Sequence, residues 1–145
     1  MENDLIYFAG LFDGEGSIFI NKSSGKHVAK NGFNYNLRIS LRMTDKEAVQ
    51  DFATYFKLHE PKIISNSKEE WKNIWRTESS ANLAKEILMK LLPYLRVKKN
   101  QAKLAIEFQE NRPKLNRFFG RPDQEESRLE KCYQEMSNLN RRGKH

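Results

Sequence analysis

The clearest periodicity in the chain lies in "NYNLRISLRM", where Tyr35, Leu37, Ile39, Leu41 and Met43 alternate with Asn34, Asn36, Arg38, Ser40 and Arg42. Apolar side chains at every second position predict a strand with one buried and one open face. A shorter alternation precedes it over Ser17–Lys22, with Ile18 and Ile20 on one side and Ser17, Phe19 and Asn21 on the other. The polar, glycine-bearing stretch "SSGKHVAKNG" joins the two as a loop. Ahead of both lies "LIYFAGLFD", apolar on nearly every side, which predicts a helix over about Leu5–Asp13, buried on several faces. Asn3 or Asp4 is positioned to cap it, and Gly14 and Gly16 to end it.

Farther along, Thr44 and Glu47 have capping-box spacing and open a helix to about Leu58. Lys62–Thr77 reads as a hairpin, with "KIIS" and "WKNIWRT" around "NSKEE". Ser79 or Ser80 then caps a helix over Ala81–Leu92 that Pro93 stops, and another helix covers about Lys98–Gln109. After the break "RPKLNRFFGRP", Asp123 caps a last amphipathic helix carrying Leu129, Tyr133, Met136 and Leu139 or Asn140. The expected order is α-β-β-α-β-β-α-α-α in one domain of 145 residues, long enough to bury a core.

Composition narrows the function. Lys and Arg number 26 against 19 Asp and Glu, a net charge of +7, which favours polyanionic partners. The polar side of the long strand carries Asn, Asn, Arg, Ser and Arg without an acid, the side-chain types that bond base edges. No apolar run reaches the roughly 18 residues of a membrane span, so no membrane partner is expected. The segment "MENDLIYF" carries acids where a secretory signal carries bases, and an intracellular setting is expected. Cys132 is single and reads as a small buried hydrophobe, and His27, His59 and His145 have no partner at zinc spacing.

Glu15 is the anomaly. It lies just past the predicted helix end, where unpaired carbonyls already carry negative charge, so a cation is needed to make it comfortable. A carboxylate beside carbonyl oxygens suits Mg²⁺ or Ca²⁺, with waters and a substrate phosphate completing the shell.

The stretch "FAGLFDGEG" over residues 8–16 resembles the signature of the LAGLIDADG homing endonucleases, with Phe for the first Leu, Phe for Ile, Gly for the second Ala and Glu for the final Asp. The element order over about residues 4–110, and "LPYLRVKKNQA" farther on, resemble the same family. The resemblance implies an αββαββα core whose four-stranded antiparallel sheet forms a DNA-binding saddle, with helices near 122–140 as an extension. It implies a Mg²⁺-dependent endonuclease (Mn²⁺ or Ca²⁺ substituting structurally) that cuts double-stranded DNA across the minor groove. Short 3′ overhangs and mobility of a host intron, in an organelle, bacterium or phage, come with it, and no small-molecule substrate. RNA maturase and non-catalytic regulator are the alternatives on the same scaffold.

Carried over position by position, the resemblance makes Glu15 catalytic and metal-binding, with Gly16 offering its carbonyl. Asp13 becomes a structural cap, Lys98 the basic residue that assists near the scissile phosphate, and Asp45 the polar residue that orders waters. Val49 stands where some members place an arginine. DNA contacts fall to Ser17, Phe19, Asn21, Lys22, Asn34, Asn36, Arg38, Ser40, Arg42, Lys72 and Arg76, with Lys26 and Lys30 in the loop. One signature per chain implies a homodimer joined through Phe8, Ala9, Gly10, Phe12 and Asp13, reading a nearly palindromic site.

Overall fold

In the computed structural model the described residues are 2–24, 33–64, 73–112 and 123–141. Helix α1 (Glu2–Glu15) leads into β1 (Gly16–Ser24) and β2 (Phe33–Met43), followed by α2 (Lys46–Tyr55), β3 (Lys62–Ile64) and β4 (Ile74–Ser80). Helix α3 (Ala81–Leu91), a 3₁₀ turn at Leu92–Tyr94, α4 (Lys99–Glu110) and α5 (Asp123–Leu139) complete the order expected from the sequence. The strands form one antiparallel sheet in the order β1-β2-β4-β3.

All five helices pack on one side of that sheet. Tyr35, Leu37, Ile39 and Leu41 are buried against them, as are Ile18 and Ile20 of β1, so the alternation read from the sequence sets the core face. Helix α1 joins α2 through rings: Phe8 meets Phe52 edge-on at 5.7 Å, and Phe12 stacks on Phe52 at 6.1 Å. Ala84, Ile87, Leu88 and Leu91 of α3, with Ala102, Ala105 and Phe108 of α4, fill the space beneath β2.

Several boundaries differ from expectation for local reasons. Helix α1 starts at Glu2, so Asn3 and Asp4 are not its caps, and it runs through Gly14 to Glu15. Gly16 belongs to β1 because of a close approach. A Cβ there would stand 2.3 Å from the Phe12 ring, so no side chain fits the turn from helix to strand. Asp45, not Thr44, caps α2, its Oδ1 accepting from the Ala48 amide at 3.1 Å. Ser80 holds the N-cap position of α3 without a side-chain bond, and Ala81 takes φ of 54°, which turns β4 directly into the helix. Pro93 lies inside the 3₁₀ turn that continues α3 rather than ending the coil outright.

Helix α5 lies against β1 and α4 and buries Leu129, Cys132 and Met136. Three polar contacts lock it. Asn140 donates to the Ile18 carbonyl at 2.8 Å, Lys22 pairs with Glu130 at 2.9 Å, and the Tyr35 hydroxyl donates to Glu130. The hydrogen bonds from Tyr35 and then Lys22 hold the Glu130 carboxyl down to about 2. A folded-state value below the unfolded one gives stability that is present above about pH 4.3 and lost as pH falls toward 2. Glu130→Gln is expected to lower unfolding stability by about 1 kcal/mol at pH 7, solvent screening limiting the effect. In urea titrations the gap between parent and variant should close as pH falls from about 4.5 to 2.

Candidate nucleic-acid interface

Antiparallel register puts directly opposed residues on the same face, so the pairing defines the open side of the sheet row by row. Phe19 lies beside Arg38 and Ser80, Ser17 beside Ser40 and Glu78, and Asn21 beside Asn36. Nearest the end of α1, Arg42 of β2 is opposite Arg76 of β4, which is opposite Lys62 of β3. Three cations therefore stand abreast, about 5 Å apart from strand to strand. Like charges directly opposed destabilise a sheet, and this row lacks a hydrogen-bonding counter-ion among the described residues. Arg38, Arg42 and Lys62 have no ion-pair, ring or hydrogen-bond partner there, and Arg76 only approaches Glu78, at 3.8 Å.

This surface corrects part of the sequence reading. Lys22 shares the parity of Ile18 and Ile20, so it points to the helix side, where it pairs with Glu130 and lies 4.4 Å from the Phe33 ring centre. It is not on the open face, and its parity was the signal. Ser40 has the right parity but is only 3% exposed, its hydroxyl bonded to that of Ser17 at 2.8 Å. Phe19, Asn21, Asn34, Asn36, Arg38, Arg42 and Arg76 are on the open side as expected. Lys62 and Glu78 were missed, because only the register of β3 and β4 reveals which way they face. Lys26, Lys30 and Lys72 lie outside the described residues.

At the end of α1 the geometry converges. The Asp13 carboxylate accepts three backbone amides from the loop before α4: Arg96 at 2.8 Å, Val97 at 3.2 Å and Lys98 at 3.0 Å. In return the Lys98 ammonium donates to the Asp13 carbonyl at 2.8 Å. Asp13 is thus a structural clasp, and Lys98 is held on the negative, carbonyl end of the helix, two residues from Glu15. Glu15 is exposed and has no partner among the described residues. It opens into a notch of about 340 Å³ lined also by Arg42, Met43, Thr44, Ile64 and Ile74, continuous with the cationic row.

Asp45 is committed to the Ala48 amide, with Thr44 rather than Asp45 lining the notch beside Glu15. Val49 is fully buried in α2, so no cation is supplied from that position. The residues expected at a dimer seam divide. Phe8, Ala9 and Phe12 are turned into the chain's own core, which corrects their place on the outer face. Gly10 is exposed, and a Cβ there meets nothing within 4 Å. The outward face of α1 is made by Ile6 and Tyr7, about half exposed, with Gly10 between them and Asp13.

A family model, LAGLIDADG endonuclease, matches residues 8–110. No curated protein sequence matches the chain. Among solved structures, the homing endonuclease I-CvuI in complex with its target in the presence of Ca is similar at a TM-score of 0.74 and 17% identity, over 99% of this chain and 85% of that one. The archaeal intron-encoded homing endonuclease I-Vdi141I complexed with DNA gives 0.69 and 16%, over 99% and 88%. The homing endonuclease I-TnaI gives 0.62 and 14%, over 96% and 89%. At these identities the likeness is one of fold, an α+β sheet with helices on one side.

Asp13→Asn replaces one acceptor oxygen by a donor that opposes the clasped amides. A loss of about 2 kcal/mol in urea unfolding is expected, charge-assisted bonds being the strong ones. Lys98→Met, which leaves the carboxylate clasp in place, should cost less than half of that.

Proposed function

The chain belongs to the LAGLIDADG endonuclease family, and from that premise we propose a divalent-metal-dependent enzyme that cuts double-stranded DNA at a long, nearly palindromic site, leaving short 3′ overhangs and promoting mobility of its host intron. The observation that carries the DNA reading is the row Arg42, Arg76 and Lys62, a charge conflict that a phosphate backbone or guanine acceptors would relieve. A two-stranded ribbon fits a major groove, and the open face extends this over four strands. Base contacts fall to Phe19, Asn21, Asn34, Asn36, Arg38, Arg42 and Arg76.

The Glu15 site fits a hard cation. Its carboxylate has no partner among the described residues and lies at a carbonyl-rich helix end, and Mg²⁺ takes only one or two protein carboxylates, with waters and phosphate supplying the rest. No group of three potential ligand side chains occurs among the described residues, so one protomer offers half a shell, with Glu15 and the backbone near Gly16 as its share. When bound, the ion supplies neutralisation of the phosphate and a more acidic water. Lys98, its ammonium anchored on the Asp13 carbonyl, would offer positive charge to the phosphate at that helix end.

Half a centre per chain calls for a second copy. Ile6 and Tyr7 on the outward face of α1 and Val97, 72% exposed in the clasped loop, form the apolar surface we assign to that pairing, with Gly10 permitting close approach. Among the described residues no helix is long and apolar enough to cross a membrane.

Glu15→Gln should abolish cleavage of the insertion-site DNA in Mg²⁺ while leaving binding within about twofold, and EDTA should do the same to the parent. Cleavage by the variant at the parental rate would overturn the site. Lys62→Ala should weaken binding to all sequences and reduce the slope of log affinity against log salt by about 1. Gly10→Leu leaves the protomer fold intact because nothing is near, so sedimentation should show monomer where the parent is dimer.

A further inference from the structure

The open face carries one acid among its paired rows, and it is placed where it costs binding. Glu78 is exposed on β4 in the row Ser17–Ser40–Glu78. The two serine hydroxyls satisfy each other at 2.8 Å and Ser40 is buried, so the carboxylate is the charged group that this row exposes. A carboxylate facing a polyanion is repelled over a distance set by the Debye length, about 10 Å at 0.1 M salt. A face that bound phosphate alone would gain from a neutral residue here.

Arg38 and Lys57 line the same cleft as Glu78, but among the described residues its ion pair is with Arg76, Nε and Oε2 3.8 Å apart and the side chains 32% and 45% exposed. That separation is within ion-pair range and beyond a hydrogen bond. The guanidinium fork and the carboxylate oxygens therefore neutralise one another without consuming each other's donors and acceptors. Two residues apart on the same strand face, they present a donor group and an acceptor group side by side.

We propose that Arg76 and Glu78 together read one G·C pair in a fixed orientation, resting on the DNA-binding role of this face. The major-groove edge of guanine offers two acceptors, N7 and O6, and cytosine beside it offers the N4 amino donor. Arg76 donates to the first and Glu78 accepts from the second. Reversing the pair sets the carboxylate against guanine acceptors and the guanidinium against an amino group. An A·T pair sets the carboxylate against thymine O4. A T·A pair offers Arg76 one acceptor and a methyl instead of two acceptors. The acid thus acts mainly by exclusion, its cost in overall affinity being the source of its discrimination.

The test is enrichment from a randomised duplex library by the full chain in EDTA, so that no cutting intervenes, comparing the parent with Glu78→Gln and Arg76→Ala. The parent should fix a G·C pair at one position per half-site. Glu78→Gln should lose at least fivefold of that preference, with adenine rising there because an amide matches its N6 and N7. Arg76→Ala should relax the same position. A second measurement replaces the selected cytosine by 2-pyrimidinone, which lacks the N4 amino group. The parent should bind this duplex at least fivefold more weakly, and Glu78→Gln should be indifferent to it. Identical enriched sequences for parent and Glu78→Gln would overturn the inference and leave the DNA reading standing, as would relaxation at a position other than G·C. Failure of the parent to enrich or bind any duplex would sink both.

Discussion

One carboxylate holding three backbone amides sets how the end of α1 meets the rest of the fold. Asp13 closes α1 by gripping residues 96–98, and Lys98 closes the loop by returning its ammonium to the Asp13 carbonyl. The grip links positions 83 to 85 residues apart in sequence and fixes the end of α1 against the start of α4. Without it, Glu15 would lie on a fraying helix end and Lys98 would be one more solvated lysine. With it, the Lys98 ammonium is held on the Asp13 carbonyl at the negative pole of the helix, two residues before the exposed Glu15. The Gly16 contact on Phe12 completes the arrangement, because the chain must leave the helix and enter β1 with no room for a side chain.

The positive charges on and against the sheet separate into two kinds by face. On its helix side several are held in structural contacts: Lys22 on Glu130 and the Phe33 ring, Arg112 on the Tyr35 carbonyl, Lys46 over Trp75 at 4.6 Å. On the open side Arg38, Arg42 and Lys62 are unspent among the described residues, and three of the four strands contribute to one cationic row. A folded chain gains nothing by itself from that row. Net charge of +7 says only that a polyanion is welcome; the division by face says where.

What the sequence made legible follows from which signals are local. The alternation of β2 identified both faces of the sheet, because Tyr35 to Leu41 repeat with the period of a strand and all four are buried. The signature at residues 8–16 drew attention to Glu15 and to Asp13, whose carboxylate accepts three backbone amides. The errors share one cause, dependence on a neighbour the sequence does not name. Ser40 is hidden because β2 is central and Ser17 lies opposite. Lys62 and Glu78 gain their positions only from pairing with Arg76 and Ser40. Phe8, Ala9 and Phe12 could have served either side of α1, and Phe52 and Phe56 of α2 settled which.

That last ambiguity explains why α1 is apolar all round. Its inner face is used by the core, so its outer apolar residues, Ile6 and Tyr7, stay about half exposed, while Gly10 leaves a flat place between them and the clasp. A helix that only closed its own core would carry Lys or Glu at those positions, as α2 carries Lys46, Glu47 and Asp51 on its exposed side. The outer face therefore answers to a second requirement, and it lies on the same helix whose far end carries Glu15. Any body docked along α1 brings its own groups to that end. The same rigid helix thereby ties association to the placement of the acid, and a half-shell for a cation is what such coupling would leave on each chain.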